Sequence, residues 1–252
     1  MGRHERIAEL ADLTGAAPDG PARVLQVADL GTGYGRTLRA LLAAARVPLR
    51  LHAVDAAVTL DDDLLHDERV RSVTADLDEP LPFADAALDR VVSVNVAEHL
   101  ADPRAHVDEC ARVLRPGGLL VLAHSDWDTT LFAGVEDALT RTLVDRFVAT
   151  VPSWAERADG FMGRKLLGLV DVPVRAGTLD LLTAETWADA HRRFDEDSVG
   201  WKVARGVLVA AADDPDLAAR ATRWVEDLRR LADEGRFLFA VTDVALVLRR
   251  RA

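Results

Sequence analysis

Cysteine is nearly missing from these 252 residues, Cys110 being the one thiol. That excludes an internal disulfide and a cysteine-based metal cage. Lysine is almost as scarce: Lys165 and Lys202 are the two lysines among 31 basic residues. Arginine stands in their place, which reads as a genomic composition bias and not as a function. No apolar run reaches the length of a membrane span. The start, Met1-Gly2-Arg3-His4-Glu5, has no hydrophobic signal core behind it, so a cytoplasmic location without a membrane partner is expected. Positive charge is short as well, with a net charge of -11. A nucleic-acid binder draws affinity from a basic stripe. The one cationic run here, Arg249-Arg250-Arg251, reads as a solvated tail closing a last strand. No nucleic-acid partner is expected. What remains is ordinary for a soluble globular protein, 49% hydrophobic and 29% charged. The length suits one sizeable domain, or one domain with a cap.

Residues 23–124 alternate short apolar runs with helical periods. Strands are expected at Val24–Leu30, Leu49–Val54, Val70–Ala75, Leu88–Val94 and Leu119–Ala123. Leu38, Leu41, Leu42 and Ala45 recur at helix spacing, as do Val107, Cys110, Ala111 and Leu114. The second helix should stop at the breaker cluster Arg115-Pro116-Gly117-Gly118. Such alternation implies parallel pairing with right-handed crossovers, and near-continuous apolar strands fit a sheet covered on both faces. After Ser125 the rhythm changes. Residues 127–170 read as a helical cap without a strong strand, and Val172–Leu182 as a sixth strand. Residues 184–234 read as helical, with Leu217, Ala221, Trp224, Val225, Leu228 and Leu231 on one stripe, and Gly235 ending the helix. Phe237–Leu248 reads as a final strand or a strand pair bent near Asp243. Residues 1–22 read as a helix and a loop. One domain over 1–252 is expected, with a cofactor core at 23–124, the cap at 127–170 and residues 172–252 completing the sheet.

The segment Val27-Ala28-Asp29-Leu30-Gly31-Thr32-Gly33-Tyr34-Gly35 joins the first strand to the first helix. Glycines there permit positive φ and close approach of backbone to a ligand. Ligands of open parallel sheets bind beyond the carboxyl ends of the strands. The dinucleotide fingerprint G-x-G-x-x-G would need a last glycine where Arg36 stands, and the phosphate-loop pattern is absent. Asp29 directly before the loop disfavours a pyrophosphate and suits a cationic ligand. S-adenosylmethionine carries an ammonium and a sulfonium and no phosphate. Asp55 ends the second strand, where a carboxylate can accept both ribose hydroxyls. Asp76 ends the third strand, where a carboxylate can accept from the adenine amino group while the Leu77 amide donates to the ring. Each acid alone is equally well read as a helix cap; three in register are harder to dismiss.

With Val54-Asp55, Ala75-Asp76-Leu77, Leu88-Asp89-Arg90-Val91-Val92-Ser93 and Val113-Leu114-Arg115-Pro116-Gly117-Gly118 added, the sequence resembles a class I S-adenosylmethionine-dependent methyltransferase. Within that class it is similar to the ubiquinone/menaquinone-methyltransferase-like (type 11) group, over roughly residues 23–124. The resemblance implies an α/β fold: a doubly wound, mostly parallel, seven-stranded Rossmann-like sheet with a reversed last strand. It also implies Asp29, Gly31, Thr32, Gly33, Tyr34 and Gly35 at the methionine end, Asp55 and Ala56 at ribose, and Asp76 and Leu77 at adenine. Asn95 and Val96 border the methionine end. Ala56-Ala57-Val58-Thr59 departs from the more usual small polar turn.

Methyl transfer from a sulfonium is a direct displacement, so alignment in a dry pocket is the main task. A base is needed only where the nucleophile must lose a proton. His124, Asp126 and Asp128 are the catalytic candidates. His124 reads either as a base or as a hydrogen-bonded structural histidine. Asp126 and Asp128 read either as orienting a polar, amine-bearing acceptor or as a loop cap. Glu98 and His99 read as a helix-start or surface pair rather than as catalytic residues. Tyr34 reads as a ligand contact or as loop packing. Phe132, Trp154, Phe161, Met162, Trp187 and Trp201 are core candidates, some of them lining an apolar acceptor pocket. Ser93-Val94-Asn95-Val96 is not the Asn/Asp-Pro-Pro-aromatic signature used on planar nitrogens. Cys110, mid-helix on an apolar face, is no nucleophile, and no metal site is expected. The expected acceptor is a small molecule, and a homodimer is compatible with the chain. The alternatives are a methyltransferase acting on protein or RNA, an NAD(P)-dependent oxidoreductase, and a non-catalytic S-adenosylmethionine-binding module.

Overall fold

The computed structural model describes residues 2–14, 24–57, 59–153 and 155–252. Strands β1 (Leu25–Leu30), β2 (Leu49–Asp55), β3 (Val70–Thr74), β4 (Leu88–Val94), β5 (Leu114–Phe132), β6 (Leu179–Ala188) and β7 (Phe239–Arg250) form one sheet in the order β3-β2-β1-β4-β5-β7-β6. The sheet is mixed, and every pairing from β3 to β5 is parallel. Helices are α1 (Arg3–Leu10), α2 (Arg36–Ala44), α3 (Asp62–Leu65), α4 (Pro103–Val113), α5 (Asp137–Val148), α6 (Met162–Arg175), α7 (Val199–Ala211) and α8 (Pro215–Asp233), with a 3-10 turn at Ala97–His99. The chain steps outward from β1 to β3 and then returns to lay β4 against the other side of β1. The crevice beyond the carboxyl ends of β1 and β4 is therefore the topological switch point, where open α/β sheets bind ligands.

The chain divides into two compact units. The first comprises Met1–His124, Lys165–Glu185 and Val244–Ala252; the second comprises Ser125–Arg164 and Thr186–Asp243. In the first, Val27, Leu30, Leu51, Val91, Val92 and Leu120 are fully buried along the strands. Each contributes about 1.5–3 kcal/mol of burial free energy. Local chemistry sets the element ends. Asp102 caps α4 by accepting the N–H groups of Arg104 and Ala105, each at 3.0 Å, with Pro103 in the first turn. In the second unit, Phe132, Leu143, Val207, Trp224, Leu228, Phe237 and Phe239 form one core. The Phe132 and Trp224 rings meet edge to face at 4.8 Å. The Trp224 indole N–H donates to the Thr140 hydroxyl at 2.9 Å, so the buried polar atom is satisfied.

The order of elements up to β4 follows the expected one closely. The long β5 differs. Arg115-Pro116-Gly117-Gly118 does end α4, but it lies within β5 as an irregularity: Leu88 faces Leu114, then Arg90 faces Leu119. Gly117 has φ +81° there. At Gly118 an added Cβ would meet the Asp89 carbonyl oxygen at 3.0 Å, so only glycine passes. β5 then runs on to Phe132, which corrects the helical reading of 127–132 and places Asp126 and Asp128 on a strand rather than a loop.

The expected strand at Val172–Leu182 is corrected as well. Val172-Pro173-Val174 is the last turn of α6, where Leu166, Leu169, Val170 and Pro173 recur at helix spacing and are buried. The strand itself is Leu179–Ala188, so the helical reading of 184–188 also fails. β7 is one strand, not a bent pair. The stripe of α8 is buried as expected, and Gly235, with φ +69°, follows its end. The loop expected after α1, at residues 15–23, together with Val58 and Trp154, lies outside the described residues.

Candidate functional site

The glycine loop between β1 and α2 is built by backbone bonds to β2. The N–H groups of Gly31 and Thr32 donate to the Val54 carbonyl at 2.8 and 3.1 Å, and the Gly33 N–H donates to the Asp55 carboxylate at 2.8 Å. Gly31, Gly33 and Gly35 all have positive φ. Two of them also answer to packing. A Cβ at Gly31 would lie 2.4 Å from Val96 Cγ2, and one at Gly35 would lie 2.2 Å from Leu64 Cδ1. At Gly33 a Cβ would meet nothing within 4 Å. The outer two glycines therefore seat the loop, while Gly33 leaves its backbone open on one side.

Asp29 is 1% exposed. Burial pushes its carboxyl up to about 7, against the lowering effect of the Thr32 hydroxyl that donates to it at 2.8 Å, and the Asp55 charge raises it further. A carboxyl held this way favours a cation nearby, since the ligand's charge repays its ionisation. Asp55 is half-buried at the end of β2. Asp76 is exposed after β3 and accepts the Asp78 N–H at 2.9 Å, while Leu77 is half-buried. Ala56 is exposed. Asn95 has φ +55° at the end of β4 and donates its N–H to the Ala123 carbonyl at 3.0 Å. Val96 is buried against Gly31. Tyr34 is 70% exposed, so it contributes no packing to the loop. The fold thus brings Asp29, Gly31–Gly35, Asp55, Asn95 and Val96 around the ends of β1, β2 and β4, with Asp76 at the end of β3. This donor and acceptor set, with carboxylates at Asp29, Asp55 and Asp76, fits an adenosyl ligand bearing an ammonium and a sulfonium.

Sequence reasoning missed three members of this frame. Thr59 donates its hydroxyl to the Gly33 carbonyl at 2.8 Å, and Leu60 and Leu64 pack under Gly35. The signal was the polar Thr59 four residues after Asp55, hidden in a segment that looked like a departure from pattern.

The catalytic candidates fall into different settings. His124 is 1% exposed, with Nε2 3.7 Å from Glu98 Oε1. Asp126 is buried in the second unit and gripped by Arg164: Nε to Oδ2 at 2.6 Å, Nη2 to Oδ1 at 2.7 Å, and the Arg164 backbone N–H to Oδ2 at 3.0 Å. Gly163 allows this approach, since a Cβ there would lie 2.7 Å from Asp126 Cβ. Asp128 pairs with Arg141 and, at 2.8 Å, with Arg164. Those two guanidiniums hold its carboxyl below the usual carboxylate range. Cys110 is fully buried and burial pushes its thiol up, consistent with an inert packing role.

Residues 28–122 match the family model described as a methyltransferase domain. The matched span holds every residue of the glycine loop and the strand-end acids. It is a class I S-adenosylmethionine-dependent methyltransferase domain. S-adenosylmethionine is accordingly its cofactor. An uncharacterized methyltransferase of Mycobacterium leprae is 34% identical over 173 residues, covering 68% of this chain and 52% of that protein. A protein of a Streptomyces fradiae transposon is 29% identical over 222 residues, covering 85% and 59%. The chain thus spans between half and three-fifths of the length of these curated relatives. Among solved structures, the YcgJ protein of Bacillus subtilis matches with a TM-score of 0.59 at 18% identity, covering 99% of this chain and 98% of that one. The [4+2]-cyclase SpnF matches with a TM-score of 0.50 at 19% identity, covering 98% and 81%. At these identities both speak for the fold of the methyltransferase domain.

Proposed function

We propose that this protein transfers a methyl group to a small-molecule acceptor. The buried Asp29 carboxyl beside the glycine loop is the observation that carries the reading, because it suits a cationic ligand at the switch point and opposes a pyrophosphate. Asp29 and Gly31, Thr32, Gly33, Tyr34 and Gly35 would hold the methionine end, bordered by Asn95 and Val96. Asp55 and Ala56 would take the ribose, and Asp76 and Leu77 the adenine. Bound S-adenosylmethionine supplies a methyl group already activated on a sulfonium, so no residue has to generate the electrophile. The chain's own work is alignment and exclusion of water. His124, Asp126 and Asp128 remain the candidates on the acceptor side. Asp126 and Asp128 would act there through their arginine partners; unchanged acceptor affinity and turnover in Asp128→Ala would remove that role. Membership of the ubiquinone/menaquinone-like group, a cytoplasmic location and a homodimer belong to the same proposal. Among the described residues no helix is long and apolar enough to cross a membrane.

Asp29 gives the cofactor site a pH dependence. Its folded-state pKa is raised to about 7, so it binds a proton below that pH. A cationic ligand must displace that proton, and affinity should therefore rise as pH rises through 7. S-adenosylhomocysteine binding is expected to strengthen about tenfold between pH 6 and pH 8, with a flat profile in Asp29→Asn. The same slope in both proteins would detach Asp29 from the ligand. For folding the sign is opposite: ionising the buried group costs stability, which falls as pH rises from the ordinary carboxylate range to about 7.

A second reading rests on the fold shared with a cyclase, since a methyltransferase fold does not fix the chemistry done on it. The discriminating assay measures S-adenosylhomocysteine release over a panel of small hydroxyl, amine and carbon acceptors, with bulk RNA and protein as further substrates. Release with a small acceptor supports the proposal. Release with RNA or protein alone moves the activity to macromolecules. Tight cofactor binding with no release on any substrate favors the non-methylating reading.

A further inference from the structure

Beyond β4, the 3-10 turn Ala97–His99 places a carboxylate between two imidazoles. Glu98 Oε1 lies 3.4 Å from His99 Nε2 and 3.7 Å from His124 Nε2. Exposure falls stepwise along the row: the His99 side chain is 27% exposed, Glu98 8% and His124 1%. The surface reading of the Glu98 and His99 pair therefore fails for Glu98. A carboxylate taken out of water is costly unless paired, and here two imidazole rings lie at ion-pair distance from it. The turn follows Val96, whose side chain seats Gly31, so the row stands beside the glycine loop at the switch point. An imidazole at the solvent end, oriented by a buried carboxylate that a third group backs, is the general arrangement of an activated base.

We propose that His99 is the proton acceptor of the methyl transfer, with Glu98 and His124 as positioning residues, and that the acceptor is a hydroxyl compound. This rests on the methyltransferase reading above. The acceptor oxygen bonds to the methyl carbon as the carbon–sulfur bond breaks with its electron pair left on sulfur. The hydroxyl proton passes to the His99 imidazole, and from there to water. Glu98, at ion-pair distance from His99 Nε2, offsets the charge of the imidazolium that forms. A hydroxyl needs such a base, because its neutral oxygen is a weak nucleophile until the proton leaves.

The test reads the ring directly and needs no acceptor. Native protein, Glu98→Gln and His99→Gln are treated with diethylpyrocarbonate, and carbethoxylation is followed at each histidine by mass spectrometry. S-adenosylhomocysteine affinity is measured on the same samples. His99 should react faster than the exposed His66, and Glu98→Gln should slow His99 about threefold or more with S-adenosylhomocysteine affinity unchanged. On any hydroxyl acceptor found to be methylated, His99→Gln should lower kcat by about a hundredfold or more with KM for the cofactor unchanged. Equal His99 reactivity in native protein and Glu98→Gln overturns the proposal, as does full hydroxyl methylation by His99→Gln. Failure of native protein to bind S-adenosylhomocysteine would instead overturn the reading on which the proposal rests.

Discussion

Arg164→Ala is expected to lower the unfolding free energy by about 3 kcal/mol or more, because it strands a buried carboxylate. The Asp126 side chain is 4% exposed and the Arg164 side chain 47% exposed, so the two partners are not equivalent. Removing Arg164 leaves a charge that water cannot reach. Removing the charge from Asp126 leaves a guanidinium that water can reach. Asp126→Asn, which keeps the shape, should therefore cost only about 1–2 kcal/mol. Urea denaturation followed by tryptophan fluorescence measures both. Trp127, Trp187, Trp201 and Trp224 fall within the second unit, as do Asp126 and Arg164. Equal losses in the two variants would mean that the pair is no more than a surface contact.

Asp55→Ala is expected to weaken S-adenosylhomocysteine binding by about 1–3 kcal/mol, which is about fivefold to 150-fold, while leaving the fold intact. Two losses combine. The ribose would lose its acceptor, and the Gly33 N–H would lose the carboxylate that now holds it at 2.8 Å. Asp55 is half-buried at a strand end, so its removal opens no cavity in the core. Calorimetry on the folded variant is the check. Unchanged affinity would place the ribose elsewhere.

The order of elements up to β4 was legible because its signals are local. A glycine turn, an acid before it and acids at two further strand ends sit within a few residues of the breaks that mark them. Helix spacing likewise exposed the face of α8. The misses have nonlocal causes. β5 runs on past Ser125 although nothing in Trp127-Asp128-Thr129-Thr130 alternates strongly. Arg115-Pro116-Gly117-Gly118 looked like a pure break, because an irregular strand pairing leaves no periodic trace. Val172-Pro173-Val174 has the composition of a strand, and the helix period that overrides it begins at Leu166. Arg164 reaches Asp126 across 38 positions, and Glu98 reaches His124 across the ends of two strands. Neither pairing has a spacing that a linear reading can detect.

Titration of the purified protein with S-adenosylmethionine, S-adenosylhomocysteine and NADPH in parallel calorimetric runs tests the central claim most directly. A site built around Asp29, Asp55 and the open Gly33 predicts micromolar binding of both adenosyl ligands and none of NADPH. Tight NADPH binding without either adenosyl ligand would contradict it and move the protein to the nucleotide-dependent oxidoreductases.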